Sequence, residues 1–475
     1  MIVYGAPAFV ARARELLRQG DLKLARVELD KASPDVMILD RRLPDGDGIE
    51  MLREMRAADQ TTSLVIVVTA YGDVENAVEA LQAGAVDYLT KPLQVTDLVI
   101  KLRKVLETRG LRDRLAEYYK LGARFAVEEI NDGGGFLGGK MVTVVGDTTG
   151  STQGAVDAAT KLVNVENVPV VVGALMSGTT LAAANAVTIP SGVLQISPTA
   201  TSPDFTSLKD NDYVFRIVPS DAYQGVVLAK LVLDQGIKTV ALTYANNDYA
   251  TPLATGFAEA YKKGGGTVTA EVKHEEKQQS YSAELGTLAK DKPEALVVIA
   301  YAGDSGTTIV KEALENGLFN RFIGTDGLRD NKLIETVGAD NLKTSFFTSP
   351  SAPESDGAKA FDALYTAAYQ TSKDKIFIGQ TYDSVMLAAL AVEKAGSTDR
   401  AKVKDALREV ANAPGEKILP GEWKKAKELI DAGKDVDYSG ATGEMEFDAN
   451  GDIPGVIGHF VVDGNGYKQV GLVNP

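Results

Sequence analysis

Short apolar runs alternate with stretches in which apolar positions recur every three or four residues, and this alternation continues along the whole chain. The first run, at 1–4, meets Gly5 and Pro7, and the stretch 8–18 then places Phe9, Ala13, Leu16 and Leu17 at helical spacing. A buried strand is predicted over 36–39, with Asp40 at its carboxyl end. The turn-rich segment 44–48 follows, then a helix carrying Ile49, Leu52 and Met55, and a strand over 64–68 that runs into Thr69. A helix over 74–83, a strand over 86–89, the tripeptide Thr90, Lys91, Pro92 and a helix over 96–108 complete this part. Such alternation predicts an α/β domain whose parallel sheet carries helices on both faces, with chemistry at the carboxyl ends of the strands. Asp40, Thr69 and Lys91 all stand there, a carboxylate beside a hydroxyl and an ammonium.

Beyond a boundary near residue 111, a helical pattern through Tyr118, Leu121, Phe125, Val127 and Ile130 reaches Gly133, and α/β alternation resumes. Buried strands are predicted over 141–145, 168–172, 193–196, 239–244, 295–300 and 321–324, each followed by Gly, Ser or Asp and then a helical pattern. The pattern passes from one group of strands to the next near 217–224, which predicts two lobes. The domain division is therefore 1–111 and 112–475.

Composition narrows the chemistry. The 475 residues contain no cysteine and two histidines, His274 and His459, which removes thiolate and disulfide chemistry and leaves little for a transition-metal site. The net charge of −15 arises mostly beyond residue 111, and no basic stripe offers a nucleic-acid surface. No apolar run is long enough to span a membrane. Arg12, Arg14, Glu15 and Arg18 stand where a signal peptide would have its apolar core, so as written the chain reads as cytoplasmic. No nucleophile–base pair, metal cluster or phosphate loop marks an enzyme.

Several local motifs are read as structural. The segment 134–140 spells G-x-x-x-x-G-K, yet Met141 replaces the Ser or Thr of a phosphate loop, and the segment follows a helix; a glycine-rich turn is expected. Asp448, Asn450 and Asp452 begin like a calcium loop but lack its glycine and closing glutamate, so a polar turn is expected. His459 lies in an apolar run and reads as a strand histidine. More telling are two hydroxyl clusters at predicted strand ends, one from Ser177 to Thr180 and one from Ser197 to Thr201. Each alone reads as a helix cap; together they suit a small carboxylate.

The first part resembles a response-regulator receiver domain, through PDVMILD ending at Asp40, RLPDGDG, VVTAYG with Thr69, and GAVDYLTKP with Lys91. The resemblance implies a flavodoxin-like fold, Asp40 as phosphoacceptor, Thr69 as switch hydroxyl, Lys91 as phosphate-binding lysine and Tyr88 as the aromatic that moves with phosphorylation. Two departures weigh against activity. Tyr4 and Gly5 occupy the place of the acidic pair that normally holds magnesium, and 21–34 is too short for the usual second strand and helix. The module then reads as structural, with no cofactor, magnesium being implied only for an active receiver.

The remainder resembles the type I periplasmic binding proteins of ABC transporters, in the leucine/isoleucine/valine-binding group. The carrying segments are LAEYYKLGARFAVEEINDGGG, GGKMVTVVGD, VVGALMSGTT, LQISPTATSP, FRIVPSD with YQG, GTDG around Asp326, and DVDYSGATGEMEFDANGD. The resemblance implies that Ser177 and Thr201 grip a ligand carboxylate, that the Thr199 carbonyl and Asp326 hold its ammonium, and that Tyr249 closes over it. Tyr118 would form an aromatic wall, and Tyr301 or Asp304 would line the pocket. One departure stands out: the family's own first strand is missing, and receiver sequence occupies its place.

Two functional classes follow. The favoured one is non-catalytic, reversible binding of a small amino acid, branched-chain or otherwise apolar, between the lobes, with ABC-transporter membrane subunits as partners. The alternative is a two-component signalling protein phosphorylated on Asp40, or coupling ligand binding to the receiver, with a histidine kinase as partner. Location is contradictory in the same way, since the binding-protein part resembles periplasmic proteins.

Overall fold

The computed structural model describes residues 2–3, 36–43, 46–57, 64–69, 79–80, 83, 85, 87–91, 119–369 and 376–473. The chain divides into two compact units, Met1–Asp113 and Arg114–Pro475.

In the first unit, the strands β1 (Ile2–Val3), β2 (Val36–Asp40), β5 (Leu64–Thr69) and β6 (Asp87–Thr90) form one sheet in the order β1-β2-β5-β6. The pairs β2–β5 and β5–β6 are parallel, as the alternation predicts. The first strand differs: Ile2 stands opposite Met37 in an antiparallel pair. A two-residue strand makes too few ladder bonds for the alternation to set its direction. The turn-rich segment forms a tight hairpin of β3 (Arg42–Leu43) and β4 (Gly46–Asp47). Leu39, Ile49, Leu52, Val65 and Val67 make the core. Gly48 is required where the chain folds back, because a Cβ there would lie 2.2 Å from the Asp40 carbonyl oxygen. The expected helices over 8–18 and 96–108 lie outside the described residues.

The second unit has two lobes. The sheet of one lobe contains β7 (Val170–Val172), β8 (Leu194–Ser197) and β9 (Val214–Arg216), all parallel. The sheet of the other contains β10 (Thr239–Ala245), β11 (Thr267–His274), β12 (Ala295–Ile299), β13 (Phe322–Gly324), β14 (Phe346–Ser351), β18 (Val456–Asp463) and β19 (Gly466–Val473). Its order is β11-β10-β12-β13-β14-β18-β19. The strands β10 to β14 pair in parallel; the central β12 and β13 are apolar and buried throughout, as strands covered on both faces must be, whereas the edge strand β11 carries Glu271 and Lys273 and is mostly exposed or half-buried. The strands β18 and β19 add antiparallel pairs at one edge, which makes this sheet mixed. A small sheet of β15 (Glu416–Ile418), β16 (Val436–Gly440) and β17 (Gly443–Glu444) borders the first lobe.

The chain crosses between lobes three times. It leaves the first lobe after β9, where Ser220 caps the helix Asp221–Asp234. It returns after β14, and the helix Ile378–Ala395 buries Ile378, Tyr382, Met386 and Leu390 against Leu194, Ile196 and Phe215. It crosses again before β18. A connection of three strands of chain is the architecture of a hinge between rigid lobes.

One predicted strand is absent. Residues 141–145 pair with no strand, and Val142, Val144 and Val145 are 80%, 44% and 72% exposed. Their apolar pattern matches that of the true strands, but among the described residues no neighbour stands beside them to complete a ladder. The structural readings of the minor motifs agree with the chain's geometry. Gly135, at φ 69°, makes a tight turn where a Cβ would meet the Gly139 carbonyl oxygen at 2.0 Å. The Asp448 carboxylate accepts from the backbone N–H groups of Asn450 (2.8 Å) and Asp452 (3.1 Å), closing a polar turn. His459 sits in β18 with its ring edge-on to Phe346. No helix among the described residues is long and apolar enough to cross a membrane.

His274, at the end of β11, is buried between Thr243 and Ser305, which meet its two ring nitrogens at 2.8 and 2.9 Å. Burial lowers its pKa to about 4, against a weaker opposing pull from Glu275. The unfolded chain therefore takes up a proton near pH 6.5 that the folded chain refuses until about pH 4. Stability associated with neutral His274 is full above that window and is lost as pH falls through it, by about 3 kcal/mol. Urea unfolding of the wild type and of His274→Gln from pH 4 to 7 measures this. The variant should lack that part of the acid loss, and parallel pH profiles would refute the assignment.

Candidate ligand cleft

The helix Ser177–Ala183 starts a few residues after β7 ends, so Ser177 stands at the carboxyl edge of the first-lobe sheet. It is buried, and its Oγ accepts from the Ser202 N–H at 3.3 Å. The loop after β8 lies alongside. Thr199 Oγ1 donates to the Leu175 carbonyl at 2.5 Å and also pairs with the Tyr119 hydroxyl. The Thr201 carbonyl accepts from the Asp221 N–H at 2.8 Å and from Arg216 Nη1 at 2.8 Å. The two hydroxyl-rich loops are thus tied into one polar rim.

The second lobe presents the same edge of its own sheet. Tyr249 follows β10 and precedes the helix Ala250–Lys263, Tyr301 follows β12, and Asp326 follows β13. The rings of Tyr249 and Tyr301 stack at 4.9 Å. The Tyr249 hydroxyl donates to Asp326 Oδ1 at 3.0 Å and accepts from the Gly327 N–H at 3.1 Å. Gln224 Nε2 donates to the same Asp326 oxygen at 2.6 Å. The lobes meet across the cleft: a Cβ on Gly178 would lie 2.9 Å from Asp248 Oδ2, and the Ser177 backbone hydrogen-bonds Tyr301.

Electrostatics single out two acids. Asp221 is fully buried; the Thr201 side chain and the charge of Arg216 favour its ionised form, though neither carboxylate oxygen is held in full hydrogen-bond geometry. Burial, then the neighbouring Asp326 charge, drives its pKa well above the usual carboxylate range. Burial also raises Asp326, against the hydrogen bonds from Gln224 and Tyr249. Burial, followed by the charge of Asp326, raises both Tyr249 and Tyr301. The charges of Arg216 and Arg329 favour ionised Asp221 and Asp326 respectively, and burial outweighs them, so a further cation beside the pair would be stabilising.

Of the residues singled out from sequence, Ser177, Thr199, Thr201, Tyr249, Tyr301 and Asp326 converge on this cleft. Tyr118 lies outside the described residues, and its neighbour Tyr119 is the one that reaches Thr199. The Asp304 carboxylate meets Lys277 Nζ at 3.7 Å. Sequence reasoning missed Tyr119, Asp221 and Gln224. Asp221 directly follows the capping Ser220, where an acid reads as ordinary first-turn chemistry.

In the first unit, Lys91 Nζ lies 2.6 Å from Asp40 Oδ2, and the Lys91 N–H donates to the Thr69 carbonyl at 2.9 Å. Thr69 Oγ1 is buried without a hydrogen-bond partner, and Tyr88 is half-buried. Tyr4 and Gly5 lie outside the described residues. Magnesium demands several oxygen ligands, whereas the Asp40 carboxylate is already engaged by an ammonium and by the Arg42 N–H at 3.2 Å. The described donors do not fit the ion.

Residues 15–103 match the family model of the response regulator receiver domain. Residues 109–429 match that of the periplasmic binding proteins. A leucine-, isoleucine-, valine-, threonine- and alanine-binding protein of Pseudomonas aeruginosa is 30% identical over 311 residues, which are 65% of this chain and 82% of that protein. The substrate-binding protein BasB of a chemotactic signal transduction system in Halobacterium salinarum is 26% identical, over 72% of this chain and 81% of its own length. Among solved structures, the branched-chain amino acid transporter substrate-binding protein LivJ from Streptococcus pneumoniae, in complex with isoleucine, superposes with a TM-score of 0.63 at 28% identity, covering 76% of this chain and 94% of that one. With two lobes built on mainly parallel sheets and joined by three crossings, and a family model spanning more than half its length, the chain belongs to the periplasmic binding protein family and carries a response regulator receiver domain at its amino-terminal end.

Proposed function

We propose that the second unit binds a small amino acid with an apolar side chain, reversibly and without chemistry, in the cleft between its lobes. The observation that carries this is the charge asymmetry of the cleft: hydroxyls and a helix amino terminus on the first lobe, and the buried Asp221–Asp326 pair on the other side. Ser177 and Thr201 take the ligand carboxylate, Asp326 takes its ammonium together with the Thr199 carbonyl, and the stacked Tyr249 and Tyr301 cover its body. Ligand contacts made by both lobes at once favour the closed arrangement of the hinge. The names of the relatives support amino acids as ligands and a transporter as the partner served. The receiver domain is read as an appended structural module, in which Lys91 holds Asp40 as a fixed ion pair rather than awaiting phosphate from a histidine kinase.

Titration calorimetry of the full chain with the twenty amino acids, N-acetyl-leucine and leucine amide tests the reading. Saturable heat should appear for a few apolar amino acids and vanish for both blocked compounds, each of which removes one of the two charges. Equal binding of N-acetyl-leucine would sink the ammonium site, and silence from all twenty would sink the ligand class.

A further inference from the structure

The helix over 119–132 is pressed against the helix Ile378–Ala395. A Cβ on Gly122 would lie 2.5 Å from the Ile378 carbonyl oxygen, and Ala126 and Ile130 are buried in the core the two helices share. Tyr119 stands one turn before Gly122, and from that fixed position its hydroxyl meets Thr199 Oγ1 in the loop after β8.

The direction of this contact follows from what each partner can donate. Thr199 Oγ1 lies 2.5 Å from the Leu175 carbonyl, which only accepts, so the single Thr199 proton points there. Tyr119 is then the donor to Thr199. Burial keeps that proton on the phenol by raising its pKa, against the weaker pull of the Thr199 bond. A directed relay results, from Tyr119 to Thr199 to Leu175, and it joins a packed helix to the loops that follow β8 and β7. Those strands are parallel neighbours, so their loops lie side by side at the carboxyl edge of the sheet. The loops' other side-chain ties are longer: the Ser202 N–H donates to Ser177 Oγ at 3.3 Å, and Ser197 Oγ donates to the Ala174 carbonyl at 3.4 Å. The relay is the tighter clamp.

The relay engages Thr199 through its side chain, two residues beyond β8, and Leu175 two residues before Ser177. On the ligand reading above, on which this inference rests, Ser177 takes the carboxylate and the Thr199 carbonyl helps to take the ammonium. The clamp therefore spans the two ligand charges. We propose that the Tyr119 hydroxyl is a positioning and specificity-determining group, which acts through Thr199 to fix the carboxylate-to-ammonium spacing and so selects α-amino acids over β-amino acids. A β-amino acid carries one more carbon between its charges, and loops that cannot part do not satisfy both of them.

Calorimetry of the full chain with leucine and β-homoleucine tests this in the wild type, Tyr119→Phe, Thr199→Val, Thr199→Ser and the double variant with both Tyr119→Phe and Thr199→Val. Tyr119→Phe should weaken leucine about fivefold and leave β-homoleucine nearly unchanged, so that the preference for the α-amino acid narrows by the same factor. The double variant should bind leucine about as Thr199→Val does, because both changes break one relay. Thr199→Ser, which keeps the hydroxyl, should restore the wild-type preference. Equal weakening of both compounds would make Tyr119 merely structural and overturn the proposal, as would an unchanged affinity for leucine. Hydrogen exchange of the ligand-free proteins at 175–180 and 199–202 reads the clamp without any ligand. Tyr119→Phe should speed exchange in both loops, and exchange that does not respond would overturn the relay itself. If the loops respond but the wild type binds none of the twenty amino acids, the ligand reading falls and the spacing rule falls with it.

Discussion

Asp326→Asn should lower amino-acid affinity about a hundredfold or more while leaving the ligand-free protein as stable as the wild type, or more so. The two halves of this expectation share one cause. Asp326 and Asp221 are neighbouring buried carboxylates, and the charge of Asp326 raises the proton affinity of Asp221; hydrogen bonds from Gln224 and Tyr249 hold Asp326, whereas Asp221 has only Thr201 and the charge of Arg216 on its side. Before ligand arrives this pair is a cost, because two like charges share a dry site. The amide oxygen of asparagine still accepts from Gln224 and Tyr249, so the replacement removes repulsion and keeps packing. Once an ammonium enters, the charge becomes the attraction, and removing one partner of a buried ion pair costs about 3 kcal/mol or more, which is roughly two orders of magnitude in Kd. A pH effect follows with a definite sign. Both acids have raised pKa values, so the ionised pair is depleted as pH falls through them, and affinity in the wild type should weaken on acidification. The variant should lose part of that dependence. Calorimetry across pH, with thermal melts of the free proteins, reads all three; an affinity within threefold of wild type would remove Asp326 from the site.

Why some of this was legible in the sequence and some was not has a physical basis. The runs that became β8, β10 and β12 are readable because a parallel strand is buried on both faces and so is mostly apolar. Residues 141–145 carry the same pattern and are not a strand, since a strand exists only when a neighbour completes its ladder, and that neighbour is a matter of topology rather than composition. Asp40, Thr69 and Lys91 were findable because the carboxyl ends of parallel strands gather chemistry, and the Asp40–Lys91 pair bears out their proximity. Ser177, Thr201 and Asp326 lie at such ends as well. Asp221 has no such signal: one residue past a serine cap, it looks like many surface acids, and only burial against Asp326 distinguishes it. The antiparallel β1 could not be foreseen either, because two residues have no periodicity to read.

Arg216→Met should destabilise the second unit by about 3 to 5 kcal/mol and weaken ligand binding beyond what that loss explains. The Arg216 side chain at the end of β9 is 1% exposed, yet it is fully satisfied. Its Nε and Nη2 fork onto the two Asp452 oxygens at 2.6 and 2.9 Å, and Nη1 donates to the Thr201 and Ser202 carbonyls at 2.8 and 2.6 Å. Nη2 reaches Thr206 Oγ1 at 2.8 Å as well. Methionine fills much of the volume but leaves a half-buried carboxylate and two buried carbonyls without donors, and each of those carries its own desolvation cost. Lysine should rescue less than half of the loss, because a point charge cannot serve a bidentate carboxylate and two carbonyls at once. The effect on binding arises through Thr201. Its carbonyl is pinned by Arg216 while its neighbour Ser202 donates to Ser177, so the loop after β8 and the helix start after β7 lose their common brace together. Melting curves and titrations of the wild type, Arg216→Met, Asp452→Asn and the double variant separate the parts. The two single changes should be strongly non-additive in stability, since each breaks the same pair, whereas only the arginine change should release Thr201. Additive losses, or an unchanged affinity in Arg216→Met, would show that this arginine holds the loop against Asp452 without shaping the cleft.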